Sequence, residues 1–160
     1  MVRSISVSAQ VPGGTGVEGA HQLMRPSTSP GSKWLDPWGA RGSWMHASFR
    51  SPVSLVGFAL RSANDCPRRD PCDFDVLGRL EHAESWVLLA EVRGAVFAER
   101  WQWLRTGFGK AATVTDVRVE FHRLPGQQGA MQVGQVSFPL SRWVCRRRLV
   151  LWRSALALQC

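Results

Sequence analysis

A chain of 160 residues, 44% of them hydrophobic and 20% charged, can bury a core without metal or disulfide staples and is too apolar for a disordered segment. No stretch reaches the ~18 apolar residues of a membrane-spanning helix; Leu149 to Leu158 is short and is interrupted by Arg153. The net charge of +8 suggests a polyanion partner, but Arg142, Arg146, Arg147, Arg148 and Arg153 crowd into the last twenty residues with no acid, so the body is near balance and nucleic-acid binding is not expected of it.

In chain order, Met1 to about Gly14 reads as a flexible lead-in, with a turn-rich Val11-Pro12-Gly13-Gly14 and a domain beginning near residue 16. Met1 to Gln10 lacks the apolar run of a secretory signal, so a cytoplasmic location is expected. Gly16 to Leu23 suits a short helical turn or loop, and Pro26 to Ser32 is a loop rich in Ser, Pro and Gly. Strands then dominate. Ser43 to Phe49 is the first. Val53 to Ser62 follows, apolar on both faces and therefore central.

Asn64 to Pro71 is a polar loop. Asp73 to Leu77 alternates as a half-buried strand does, and Ser85 to Val92 and Trp101 to Phe108 add two more. Thr113 to His122 alternates from Asp116 onward, with Val117, Val119 and Phe121 opposite Asp116, Arg118, Glu120 and His122. Pro125 to Gly129 is a turn, and Met131 to Leu140 closes the series. Some seven or eight short strands, with no long helical period between them, predict an all-β antiparallel sandwich or jelly roll rather than a parallel α/β sheet. Residues 141–160 form a basic and apolar C-terminal extension outside this pattern.

Four patches in order resemble one known family. They are Lys33-Trp34-Leu35-Asp36; Phe49 to Val53 with Val56-Gly57-Phe58-Ala59-Leu60; Ser62 to Pro71 leading into Phe74 to Gly78 and Trp86 to Leu89; and Met131 to Phe138. Together they resemble the discoidin-like (coagulation factor 5/8 type C-like) domains of the galactose-binding-like fold, over about Gly16 to Leu140. The resemblance implies an eight-stranded sandwich with ligand loops at one end, and a non-catalytic role in binding glycans, lipid head groups or proteins. Many such domains hold a calcium ion between an aspartate near the first loop and a glutamate in the last strand. Here Arg25 and Gln135 stand near those positions. Calcium takes oxygen ligands, carboxylates above all, so the resemblance with these departures implies that the site is lost and no cofactor is needed.

Candidate ligand contacts are Trp38, between Pro37 and Gly39, and the cluster Asn64, Asp65, Arg68, Arg69 and Asp70. An exposed indole stacks on a sugar face, and guanidinium and carboxylate groups bond sugar hydroxyls or an acidic partner. The cluster has a competing structural use, as turn caps and internal ion pairs. Trp34 and Trp44 suit the core or its rim; Trp101 and Trp103 suit core packing or an aromatic platform. His21, His46, His82 and His122 are scattered, and Asp73 and Asp75 look like a solvated strand edge rather than paired glycosidase carboxylates. Cys66 and Cys72 flank one loop and are read as free thiols. No nucleophile elbow or phosphate loop is present, so no enzyme is expected. Carbohydrate binding through loops at one end of the sandwich is the leading expectation; an intracellular protein-interaction domain of the same fold is the alternative.

Overall fold

The computed structural model describes residues 1–11, 18–29, 31–39, 42–81, 83–124 and 129–141. Among them are eight strands: β1 (Val2–Val7), β2 (Trp34–Asp36), β3 (Ser43–Arg61), β4 (Asp73–Leu80), β5 (Trp86–Val92), β6 (Trp103–Arg123), β7 (Met131–Val133) and β8 (Gln135–Ser137). Helical turns of the 3-10 kind lie at Ala20–Met24 and Pro67–Arg69. Every pairing is antiparallel, in the order β1-β3-β6-β4-β5, with β8 on the second half of β3 and β2 paired with β7 apart. The all-β antiparallel sandwich expected from the strand spacing is what forms.

The long strands β3 and β6 each join two segments that read as separate strands in the sequence. Their register slips between Ser48 and Val53 and again between Leu55 and Gly57. Extra residues on one strand bend it and sharpen its twist, which lets one strand pair serve two layers. Met45 and Ala47 from the first half of β3, Val117 and Val119 from the half of β6 that pairs with it, and Phe58, Leu60 and Val136 from beyond the slip accordingly share one hydrophobic core. Phe58, Phe74 and Phe121 link its centre through ring contacts of 6.2 and 5.8 Å.

The lead-in needs correcting. Val2–Val7 is an edge strand on β3, with Ile5 opposite Ala47 and Val7 opposite Met45. Val2, Ile5 and Val7 pack against the core, and the Ala9 carbonyl accepts the Trp34 indole N–H at 2.8 Å. The interleaved Arg3, Ser4 and Ser6 hide the alternation, because an edge strand has one solvated face and one free rim. The turn at Pro125 to Gln128 and the whole extension from Arg142 lie outside the described residues.

Candidate ligand-binding site

Trp38 is held out by the residues around it. Asp36, buried at the end of β2, accepts hydrogen bonds from the Trp38 amide at 2.8 Å and from the Ser8 and Ser43 hydroxyls at 2.5 and 2.8 Å. Gly39 lies so close to Met131 that a Cβ would overlap that residue's backbone. The loop is thereby fixed from both sides, and the Trp38 side chain stands 60% exposed.

The polar loop between β3 and β4 is spent mostly on its own fixation. Lys33, only 2% exposed, places Nζ 2.8 Å from Asp65 Oδ1 and 3.5 Å from Glu18 Oε1. Burial works to raise the Asp65 carboxyl, but the Lys33 hydrogen bond and the charges of Lys33 and Arg69 outweigh it and hold it below the usual range. Buried Gln132 donates its amide to the carbonyls of Asp65 and Cys66. Asp70, 2% exposed, meets Arg100 at 2.7 Å, and Arg100 also donates to the Asp65 carbonyl. Burial pushes the Asp70 carboxyl up despite the Arg100 pair.

Asp70 therefore faces inward, and Asp65 is tied to a buried lysine; both hold the loop in shape. Asn64 is half-buried with a partnerless Oδ1, Arg69 is half-buried near Asp65, and Arg68 is exposed. Arg68 lines a groove of about 210 Å³ with Pro67, Asp70, Ala95, Val96 and Phe97. Trp38 follows the Asp36 end of β2, whereas Lys33 and Asp65 meet at the other end, so a ladder about 10 Å long lies between them.

The remaining candidates fall into place. Trp34 is fully buried. Trp101 and Trp103 do not share a strand, since β6 begins at Trp103; the guanidinium of Arg61 lies over both rings, 5.0 and 5.9 Å from their centres. Asp73 and Asp75 lie on β4, between β6 and β5 rather than at an edge. Asp75 pairs with Arg93 at 2.8 Å and His122 at 2.9 Å, and Asp73 accepts the Gly94 amide. Cys66, exposed, and Cys72, buried, are not joined by a disulfide. His82 lies outside the described residues.

The densest polar network was not singled out in the sequence. Asp116, on the outer face of β6, accepts from Ser48 at 2.6 Å, His46 at 2.9 Å, Arg79 at 3.0 Å and Thr115 at 2.8 Å. Burial opposes ionisation, but these donors hold its carboxyl far below the ordinary range. Its signal in the sequence is one acid in an alternating strand, and its donors come from strands some 40 and 70 residues away.

At the position of the expected cation site, Gln135 pairs across the ladder with Arg61, whose guanidinium donates to the Trp101 carbonyl at 2.9 Å and the Ser27 carbonyl at 3.4 Å. Arg25 is exposed just after the first 3-10 turn. A guanidinium on the loop carbonyls and an amide in place of a carboxylate do not fit calcium. Among the described residues no group of three or more His, Cys, Asp or Glu is placed to hold a metal.

No family model matches the chain. It is 37% identical over 73 residues to a peptide-N(4)-(N-acetyl-β-glucosaminyl)asparagine amidase from Arabidopsis thaliana, a match spanning 44% of this chain but 10% of the amidase. Among solved structures it resembles an F5/8 type C domain from Bacteroides fragilis, with TM-score 0.70 and 16% identity over 84% of this chain and 89% of that one. A family 32 carbohydrate-binding module from Streptococcus pneumoniae gives TM-score 0.68 and 16% identity over 88% and 95% of the two chains. Another, from Clostridium perfringens in complex with GalNAc-β-1,3-galactose, gives 0.68 and 7% over 85% and 94%. The chain thus has the galactose-binding-like β-sandwich fold of discoidin-like, F5/8 type C domains.

Proposed function

We propose that this chain is a non-catalytic carbohydrate-binding module that takes a glycan at the loops beside β2. The carrying observation is Trp38, an exposed indole on a loop fixed by Asp36 and by the Gly39–Met131 contact. A rigid aromatic face offers a sugar ring apolar area at little entropic cost. Structural neighbours that are family 32 carbohydrate-binding modules support the reading. So does the partial match to an amidase whose name describes a glycosylated asparagine as its substrate. Of the polar cluster, Arg68 and Arg69, with Asn64, are the groups that can face a ligand, while Asp65 and Asp70 shape their loop. We also propose that no calcium is required, since Arg61 takes up the loop carbonyl at Ser27.

The test is a glycan array probed with the full chain and with Trp38→Ala. Binding by the wild type that drops at least tenfold in the variant, with an unchanged β-rich circular dichroism spectrum, supports the module. Silence across neutral glycans overturns it and favours the protein-interaction alternative. A specific feature would serve that alternative: an open, mostly apolar groove of about 820 Å³ between the β4–β5 hairpin and Phe108 to Thr113, with Leu88 exposed at its rim.

A further inference from the structure

The two outer faces of the sandwich differ in their charges. On the first, three guanidiniums meet carboxylates: Arg79 with Asp116 at 2.5 Å, Arg93 with Asp75 at 2.8 Å and Arg118 with Glu120 at 2.8 Å. Pairs of this kind neutralise one another and leave little charge for a ligand.

The second face, made by β8, the second half of β3 and the first half of β6, is built differently. One row of the ladder sets Gln135, Arg61 and Trp103 side by side, and the next sets Ser137, Ala59 and Arg105. Leu60 and Leu104 belong to the core, so their neighbours in these rows face out. Arg61 lies 5.0 Å above the Trp101 ring and 5.9 Å from Trp103, and Arg105 lies 5.9 Å from Trp103. Rings and guanidiniums thus form a ladder of Trp101, Arg61, Trp103 and Arg105. Among the described residues, neither Arg61 nor Arg105 is paired with a carboxylate.

Two further observations mark this face. Trp101 has φ 64°, a left-handed conformation that bulky residues rarely adopt. Its carbonyl accepts from Arg61 Nε and its amide donates to Ala63, which hold the ring under the guanidinium. Strained backbone of this kind collects at ligand sites. A groove of about 330 Å³ adjoins the ladder, with Trp103, Gln135, Ser137, Met24 and Leu140 in its wall.

We propose that this face binds a carboxylate-bearing glycan, such as a chain of uronic acids. A guanidinium stacked on a ring by its face keeps its N–H edge free, and that edge matches a carboxylate in a planar two-bond contact. Arg105, exposed and 5.9 Å from the Trp103 ring centre, supplies the contact; Arg61 adds charge; the Trp103 ring takes the sugar face. Gln135 and Ser137 bond the hydroxyls, which separates a sugar acid from a bare polyanion. The site sits at the Arg61 end of β3, whereas the Trp38 loop meets the Ser43 end. The inference extends the glycan-binding reading to a second surface and a charged sugar class, and it is tested apart from Trp38.

The experiment is isothermal titration of the full chain with an oligogalacturonate, with the same oligomer fully methyl-esterified, and with single-stranded DNA of equal charge. The acid form is expected to bind, and the ester at least tenfold more weakly. Arg105→Ala should cut affinity for the acid form at least fivefold without shifting Tm. Arg3→Ala, the same loss of charge on β1, should change nothing. Absence of binding by the acid form, equal binding of acid and ester, insensitivity to Arg105→Ala, or equal binding of DNA each overturns the proposal. A neutral glycan that depends on the Trp38 loop would still bind Arg105→Ala, so either reading can fail without the other.

Discussion

Asp116 shows how far one residue's role depends on its neighbours. Its side chain is 5% exposed although it lies on an outward face, because Arg79 and His46 close over it. Its carboxyl titrates below its value in the unfolded chain, so the stability it contributes is complete above the unfolded pKa near 3.8 and fades as pH falls below that. Asp116→Asn is expected to cost about 2–3 kcal/mol at pH 7, the usual value of hydrogen bonds to a charged group. Denaturant titrations at pH 7 and pH 3 check this: the deficit should shrink at pH 3, where the carboxyl of the unfolded chain is largely protonated while the folded one is held ionised. A constant deficit would mean that shape rather than charge is lost. Trp38 is the opposite case. The exposure of its side chain was readable from its place between Pro37 and Gly39, but the grip of Asp36 on its amide was not, since Ser8 and Ser43 complete that grip from distant strands.

At the scale of elements, the first strand is the main surprise. Ser8 and Ala9, just beyond it, tie β2 through Asp36 and Trp34, so the N-terminus reaches the middle of the molecule. Removing residues 1–10 should expose the Met45 and Ala47 edge of β3 and free the Trp34 N–H. The expected cost is at least about 3 kcal/mol, from several half-buried apolar side chains and a buried donor left unpaired. Thermal melts of the full and shortened chains measure it; equal Tm values would show β1 to be dispensable. The long strands β3 and β6 were legible as strand-forming runs but not as continuous. Pro52 and Gly109 look like turn residues in a sequence, whereas in the sheet they fall at slips of register, where proline and glycine are tolerated.

At the scale of the whole molecule, Lys33, Asp65, Gln132, Asp70 and Arg100 form a buried polar network that fastens the loop between β3 and β4 to β2 and β7. Arg61 fastens the first loop in the same way, with a side-chain cation. Stability should therefore be indifferent to calcium: Tm in excess calcium and in chelator should agree within about 1 °C, since a ligand that binds neither state shifts nothing. A rise of several degrees with calcium would reveal a site that these residues do not provide. Strand-forming runs, the absence of long helical periods and the loops could all be read from the sequence alone. Such features depend on local alternation and residue type, which neighbours in the chain impose. Only the tertiary structure decided which polar residues face solvent and which hold the frame. It turned Asp70 inward, tied Asp65 to the buried Lys33, left Arg68 outside, and set the second face with Arg61 between two tryptophans. Those roles depend on partners up to some 70 residues apart, and no local pattern records which strand will lie beside which.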